Sequence, residues 1–145
     1  MLTAALHLYF QSWVKERGLP IEENSHTKKG WLAFYKEHFM QSKLKINFDE
    51  APVDLKLIEE IILARNNIQH PSSIVTMRSH YKKKDLKKLQ HPIFVSEIEA
   101  RTLRFEDERD WFTPPSLEIT EAQLLEAIFE VERFSEWFDP QIEFK

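Results

Sequence analysis

The sequence predicts a mainly α-helical protein, a four-helix bundle with an insertion between its third and fourth helices. Four segments carry apolar side chains at the three- and four-residue spacing of amphipathic helices. The 145 residues, 42% hydrophobic and 30% charged, are typical of one globular domain. We therefore expect a single helical domain over residues 1–145. The first predicted helix starts almost at the first residue, so the chain is also compatible with a piece of a longer protein.

The four predicted helices begin and end at recognisable signals. Thr3 is suited to cap the first helix, which stops at Gly18-Leu19-Pro20, and Pro52 is suited to the first turn of the third. A capping box of Thr120 with Gln123 opens the fourth helix, and a proline follows its end. The aromatic side chains fall mostly in these helices, and we expect them to pack the core. The predicted helices are Thr3–Arg17, Lys29–Gln41, Pro52–Gln69 and Glu121–Phe138, with Pro140 just beyond the last.

The insertion of about fifty residues between the third and fourth helices has mixed signals. Met77–Leu89 can form a short basic helix. Ile93–Phe105 and Leu117–Ile119 carry strand-like residues, and a charged turn region and Pro114-Pro115 separate them. We therefore expect the insertion to contain a short helix and a small two-stranded β-hairpin.

The composition excludes several classes of protein. The chain has no cysteine, which excludes disulfides, cysteine nucleophiles, iron–sulfur clusters and cysteine-based zinc sites. Its two glycines, Gly18 and Gly30, are too far apart for a Walker A loop or a dinucleotide fingerprint. The six histidines are scattered without metal-ligand spacing, so we expect no metal and no cofactor. The longest apolar run is Trp31–Tyr35, so we expect no membrane span and a cytoplasmic location.

Charge is distributed unevenly along the chain. Residues 1–77 are neutral, residues 78–91 carry a net charge of +5 and residues 92–145 carry −9. The basic segment can contact phosphates, although a solvated helix face is the alternative. The acidic C-terminal third can likewise be a solvated face, attract a basic partner, or complement the basic segment within a dimer. The candidate RNA-binding residues are Arg78, Lys82, Lys83, Lys84, Lys87 and Lys88.

One charged side chain falls inside the apolar stripe of the third helix. Each residue turns a helix by about 100°, so with Ile58 at zero Arg65 falls at about 340°, close to Ile61 at about 300°. A guanidinium there keeps its proton and must find a carboxylate, a phosphate, a carbonyl or water. Such a position indicates a functional or interface site. Alternatively, the Arg65 guanidinium reaches past the stripe to solvent, or it pairs with Glu59, Glu60 or a residue of another helix.

His70 is the second candidate on this helix. It precedes Pro71, which disfavours helical backbone at His70 and places it at a helix end. An imidazole there can act as an acid or a base, or it can simply complement the helix dipole. Arg65 and His70 lie about 140° apart around an ideal helix. Both can reach one atom if the helix end distorts at Pro71, or if two copies meet across a two-fold axis.

The end of the third helix resembles the signature of the HEPN domain superfamily in the string Arg65-Asn66-Asn67-Ile68-Gln69-His70. That signature has an arginine, often a polar residue next, a short spacer and then a histidine; Asn66 fits the polar position. The likeness covers about a dozen residues in motif and most of the chain in architecture. The architecture includes two helices before the motif and a last helix with Leu124, Ile128, Phe134 and Trp137.

The resemblance implies a homodimer whose two motifs face each other. Active members of the family are metal-independent endoribonucleases of toxin–antitoxin, CRISPR and other defence systems. The resemblance implies that His70 helps to deprotonate an RNA 2′-OH, that Arg65 holds the scissile phosphate, and that Asn66 orients the phosphate or His70. RNA, a second copy and a cognate antitoxin protein are the expected partners.

Two features of the family leave the prediction open. Other members are inactive and serve as binding or dimerisation modules, so an interaction module is the alternative function. Ser72 stands where some toxins of the family carry a tyrosine that a nucleotidyltransferase modifies, which puts that mode of control in question.

Overall fold

Helices dominate the computed structural model, which describes residues 2–21, 30–69, 79–86, 89, 92–103 and 114–143. Within those ranges there is no β-strand, and one antiparallel bridge joins His80 and Ser116. The mainly helical class that the sequence predicts is confirmed. The helices are α1 (Leu2–Glu16), α2 (Trp31–Gln41), α3 (Leu55–Gln69), α4 (Lys83–Leu86), α5 (Glu97–Leu103) and α6 (Glu121–Glu143), with a 3-10 turn at Phe48–Glu50.

Two compact units share the chain. Unit 1 comprises Met1–Leu55 and Ile128–Lys145, and unit 2 comprises Lys56–Ala127. The division falls at the start of α3 and inside α6. Each unit has buried side chains of its own, and the single domain over residues 1–145 stays a prediction.

Unit 1 is organised around the ring of Phe10. This side chain is fully buried, and its ring centroid lies 5.5 Å from that of Phe48 and 5.6 Å from that of Phe138. Phe39 and Phe134 complete the cluster at 6.0 Å and 5.8 Å from Phe10. Such aromatic pairs add about 0.5–1.5 kcal/mol each beyond the area that they bury. These five aromatic side chains therefore form a core, as predicted, whereas Phe129 of α6 is 60% exposed.

Helix α1 ends where the sequence predicts, at Gly18. The N–H of Gly18 donates to the carbonyl of Lys15 at 3.2 Å, and the N–H of Leu19 donates to that of Val14 at 3.0 Å. Gly18 has a φ of 59°, the left-handed conformation that closes a helix in the Schellman motif. Leu19 is buried directly after it, which anchors the chain leaving the helix.

Two predicted helix starts need correction. Thr3 lies within the first turn of α1 with its side chain buried, so it does not cap the helix. Helix α3 begins three residues after Pro52, which is not in its first turn. The carbonyl of Pro52 accepts a hydrogen bond of 2.5 Å from Arg133, and the N–H of Asp54 donates to Glu130 at 2.6 Å. Because side chains of α6 take these backbone groups, the chain before α3 stays non-helical.

Helix α2 begins at Trp31, and its predicted first residue, Lys29, lies outside the described residues. Gly30 precedes the helix at a φ of 86°, which residues with a side chain rarely adopt. Tyr35 and Phe39 of α2 are fully buried, as expected for aromatic side chains that pack the core.

The start of α6 is confirmed and its predicted end is wrong. The N–H of Thr120 donates to Oε1 of Gln123 at 2.9 Å, and the N–H of Gln123 donates to the Thr120 hydroxyl at 3.2 Å, which is a capping box. The helix does not stop at Phe138 but continues through Pro140 for another turn. Proline removes one backbone hydrogen bond there, and the burial of Phe138 and Ile142 on either side keeps the last turn helical.

The secondary structure of the insertion differs from the prediction. Helix α5 forms over Glu97–Leu103, where a strand was predicted, Leu117–Ile119 form no strand, and the β-hairpin is not confirmed. A reciprocal cap starts α5: the Ser96 hydroxyl donates to the Glu99 carboxylate and accepts from the Glu99 N–H, both at 3.2 Å. This local cap outweighs the strand-like residues around it.

The basic helix predicted over Met77–Leu89 is reduced to the single turn of α4 among the described residues. Just before it the backbone is extended. The N–H of Tyr81 donates to the carbonyl of Pro115 at 3.2 Å, and the N–H of Leu117 donates to that of Ser79 at 2.8 Å. Because these backbone groups pair with another segment, they are not available to a helix.

None of the helices in the described ranges is long and apolar enough to cross a membrane. The longest, α6, has 23 residues but carries seven carboxylate side chains. Charged groups of this number are incompatible with a hydrocarbon environment.

All three tyrosines of the chain have a raised pKa. Burial is the largest cause at Tyr9, Tyr35 and Tyr81, because it disfavours the charged phenolate. A hydrogen bond to Asp139 raises the pKa of Tyr9 further, and a hydrogen bond to Glu60 raises the pKa of Tyr81 further.

These raised pKa values predict loss of stability at alkaline pH. In the unfolded chain a tyrosine releases its proton at a pKa of about 10, while the folded protein keeps it. Below that pH, we expect the tyrosines to leave the free energy of unfolding independent of pH. Above it, we expect the free energy of unfolding to fall as the pH rises. Tyrosinate absorbance followed together with helical circular dichroism checks this. Tyrosinate that forms near the ordinary pKa while the helices persist would contradict it.

Candidate functional site

The C-terminal half of α3 carries the side chains that the sequence singles out. Ile58 and Ile61 of the apolar stripe are buried, as predicted. Arg65 follows one turn later and is half-buried, four residues before the helix ends at Gln69. A permanent positive charge therefore lies next to apolar side chains on the same helix.

Arg65 contacts its neighbour Asn66. Nη1 of Arg65 donates to Oδ1 of Asn66 at 3.2 Å. Within the described ranges no carboxylate forms an ion pair with Arg65, and Glu59 and Glu60 in particular do not. The guanidinium has five N–H donors in a planar fork, and Asn66 takes one of them. The rest of the fork is suited to an acceptor such as a phosphate.

The structure describes only some of the remaining predicted site residues. Outside the described residues lie His70, Arg78, Lys87 and Lys88. Lys83 and Lys84 are exposed at the start of α4, and Lys82 is half-buried directly before it. None of these three lysines forms an ion pair with a described carboxylate. The structure thus joins Arg65 with Asn66, and it presents Lys82–Lys84 as a basic segment that solvent reaches.

The sequence reasoning missed the most deeply buried polar side chain of α3. Glu60 is 1% exposed. Its Oε1 accepts hydrogen bonds from the Tyr81 hydroxyl at 2.5 Å, from the Ile93 N–H at 2.6 Å and from the Phe94 N–H at 3.2 Å. A carboxyl group buried without partners costs several kcal/mol, and these three donors satisfy it.

Asn67 makes a second buried polar link from α3. Its Nδ2 donates to Oδ2 of Asp85 at 3.2 Å, and both side chains are buried. Asp85 belongs to α4, so this bond fixes α4 against α3. Of the two adjacent asparagines in the motif, Asn67 is therefore structural, and Asn66 is the one that lies beside Arg65.

The spacing of residues in α3 contains a signal for this buried polar face. Glu60, Ala64 and Asn67 recur at i, i+4 and i+7, which places them on one face of the helix. With Ile58 at zero they fall between about 180° and 240°, away from the isoleucine stripe. Ala64 is fully buried, and its small side chain lets another segment approach closely. Polar residues on either side of such an alanine indicate that a second segment packs on this face and forms hydrogen bonds with them.

Both units contain an open cavity. The one in unit 1 has a volume of about 690 Å³ between the ends of α1 and α2, and His38 and Lys43 line it. The one in unit 2 is a groove of about 630 Å³ at the C-terminal end of α3, and Ile68 lines it. No group of three or more histidine or acidic side chains that could hold a metal ion occurs in the part of the chain that the structure describes.

Comparisons of the chain with protein-family models, curated proteins and solved structures found no significant match. The resemblance to the HEPN superfamily therefore depends on the residues Arg65 to His70 and on the helical pattern.

The buried links of α3 predict which substitutions unfold unit 2. Glu60→Ala leaves the Tyr81 hydroxyl and the half-buried Ile93 N–H without an acceptor, while the Phe94 N–H keeps the Tyr81 hydroxyl at 3.3 Å. We therefore expect a loss of at least about 2 kcal/mol in the free energy of unfolding. Tyr81→Phe removes one donor and leaves the other two, so we expect a loss of about 1–2 kcal/mol. Urea unfolding followed by circular dichroism measures both.

Glu59→Ala is the matched control, because Glu59 is the exposed neighbour of Glu60. Its free energy of unfolding should stay within about 0.5 kcal/mol of the unmodified protein. Equal stability of the Glu59 and Glu60 variants would show that the buried carboxyl does not hold this unit together.

Proposed function

We propose that this protein is a HEPN-like endoribonuclease that cleaves RNA without a metal ion, in a toxin–antitoxin or other defence system. One observation carries the proposal: Arg65 is half-buried on α3 and bonds to Asn66, with no ion pair to a described carboxylate. The proposal includes the four-helix bundle and the homodimer that the family resemblance implies. RNA is the substrate, and a cognate antitoxin protein is the proposed regulator.

Arg65 is suited to hold the scissile phosphate. The Asn66 carbonyl accepts from one nitrogen of its guanidinium and so restrains the orientation of the fork. A fork held in one orientation loses less entropy when it makes two parallel N–H bonds to phosphate oxygens. Because Arg65 is half-buried, those bonds form where water screens them less than on an exposed surface.

In the proposed reaction, His70 takes the proton of the 2′-OH next to the scissile phosphate. The 2′ oxygen forms a bond to phosphorus, the bond between phosphorus and the 5′ oxygen breaks, and an acid gives that oxygen a proton. Arg65 stabilises the negative charge that accumulates on the phosphate oxygens. The products are a 2′,3′-cyclic phosphate and a 5′-hydroxyl.

Helix geometry supports the homodimer in this proposal. Arg65 and His70 lie about 140° apart on an ideal helix, so a single straight helix does not direct both at one atom. Across a two-fold axis, Arg65 and His70 from both copies can line one cleft. The active form is then the dimer, and dilution below its dissociation constant lowers the activity.

The proposal predicts that cleavage persists in EDTA and depends on the two motif residues. We expect Arg65→Ala to lower kcat by about 100-fold, because an electrostatic donor to the transition state is lost. We expect His70→Ala to lower it by a similar factor, about 100-fold, through loss of the base. Gel analysis of a labelled RNA with purified protein measures both rates, and a 2′-deoxy nucleotide at the cleaved position should abolish the cut.

Arg101→Ala is the control for removing an arginine. Arg101 is exposed on α5, where it pairs with Glu97 at 3.8 Å, and it has no part in the proposed site. The Arg101→Ala variant should cleave RNA at the rate of the unmodified protein. If all variants cut RNA equally, the activity comes from a contaminating nuclease and the site assignment fails.

The basic segment Lys82–Lys84 predicts a salt dependence of RNA binding. Each phosphate contact to a single strand adds about 0.7 to the slope of log affinity against log salt. Changing all three lysines to Gln should therefore flatten that slope by about 2. A variant with Lys15, Lys43 and Lys45 changed to Gln is the control, because it removes the same three charges from exposed positions in unit 1. An unchanged slope in the triple variant would place the RNA elsewhere.

An interaction module without catalysis is the second candidate. Ile68 favours it, because this large apolar side chain is 48% exposed within the motif of α3. In that case Ile68→Ser and Arg65→Ala change the oligomeric state in sedimentation, and no RNA is cut. A monomer that neither substitution alters would contradict it.

A further inference from the structure

The groove in unit 2 has a lining unlike that of the buried core or the basic segment. It is open to solvent and has a volume of about 630 Å³. Its walls come from the end of α3, the start of α5 and the two extended segments that the bridge joins. The side chains that give it its character are Ile68, Ser79, Ile98, Glu99, Ser116 and Glu118.

Two large apolar side chains lie on the walls of this groove. Ile98 is 79% exposed and Ile68 is 48% exposed. A single exposed isoleucine is ordinary on a protein surface, whereas two on one concave surface form an apolar site that a ligand can cover. The groove therefore favours a ligand with aliphatic groups.

The described lining of the groove is negatively charged. Glu99 and Glu118 line it, and no Lys, Arg or His is found among the described lining residues. Glu99 is held in place, since it accepts from the Ser116 N–H at 3.0 Å and from the Ser96 hydroxyl at 3.2 Å. The Glu118 side chain is exposed and forms no ion pair with a described residue. Two carboxylates repel a phosphate backbone and attract a cation.

Hydroxyl groups complete the lining. The Ser79 and Ser116 side chains make no hydrogen bond to another described residue. A serine hydroxyl both donates and accepts, so it can bond to either polar group of a peptide backbone. The groove thus offers apolar contact, negative charge and neutral hydrogen-bonding groups together.

We propose that this groove binds a short peptide segment of a partner protein, with an arginine or lysine between aliphatic side chains. Ile68 and Ile98 contact the aliphatic groups, Glu118 and Glu99 attract the cation, and the serine hydroxyls bond to the peptide backbone. Charge complementarity selects this occupant over RNA. It also disfavours a symmetric contact with a second copy, which would bring two acidic grooves together.

Fluorescence anisotropy with a labelled hexapeptide of alternating leucine and arginine tests the proposal. The full chain should bind it at least about 10-fold more tightly than the same peptide with glutamate for arginine or serine for leucine. Equal binding of the arginine and glutamate peptides, or of the leucine and serine peptides, would overturn the proposal.

Three variants locate the binding. Glu118→Gln should weaken it by about 2- to 5-fold, as expected for an exposed charge pair. Ile98→Ser should weaken it by about 5-fold or more through lost apolar contact. Glu97→Gln is the matched control, because Glu97 is an exposed carboxylate next to Ile98 that does not line the groove, and it should bind like the unmodified protein.

The other occupants have distinct outcomes. A dimer in sedimentation that Ile98→Ser dissociates would assign the groove to a second copy, and RNA binding that Ile98→Ser abolishes would assign it to RNA. Either result overturns the peptide proposal, as does equal peptide affinity in all three variants. Arg65→Ala should leave peptide binding unchanged, so this test stands or fails separately from ribonuclease activity.

Discussion

Glu60 is buried on α3, and the three donors that its carboxyl oxygen accepts from all lie outside the helix. The donors come from Tyr81, Ile93 and Phe94, residues more than twenty positions away. Meeting this requirement ties two irregular segments to α3 at defined places. The fold of unit 2 therefore depends on directional hydrogen bonds to one buried oxygen. Unit 1, in contrast, is held by the non-directional packing of rings around Phe10.

Helix α3 uses its faces for different purposes. The isoleucines form one apolar face, Glu60 and Asn67 form a buried polar face, and Arg65 with Asn66 lies half-buried between water and the interior. Asn66 and Asn67 are chemically identical, but a helix turns by about 100° from one to the next. That rotation alone puts one against Asp85 and the other against Arg65. Arg65, the side chain that we propose to bind phosphate, thereby lies on a helix whose opposite face is immobilised by buried hydrogen bonds.

Some features were predictable because their causes lie within one helical turn. The Gly18 stop and the Thr120 capping box need only residues three to five positions apart. The position of Arg65 in the candidate site was predictable for the same reason, since helical periodicity places it next to the isoleucine stripe. The hydrogen bond from Arg65 to Asn66 was not predicted, since the family resemblance implies that Asn66 orients the phosphate or His70. The burial of Glu60 was not predicted, because a glutamate on a helix is usually exposed and its hydrogen-bond donors are far away in the sequence.

The sequence by itself determined the helical class, several helix ends and a charged side chain close to the apolar stripe of α3. Only the tertiary structure decided that the chain before α3 is non-helical, since Arg133 reaches the Pro52 carbonyl from 81 residues away. It also decided that α6 passes through Pro140, since the burial of Phe138 and Ile142 outweighs one missing backbone hydrogen bond. Local signals report bonds within a turn, whereas burial and long-range hydrogen bonds depend on residues that meet only in the folded chain.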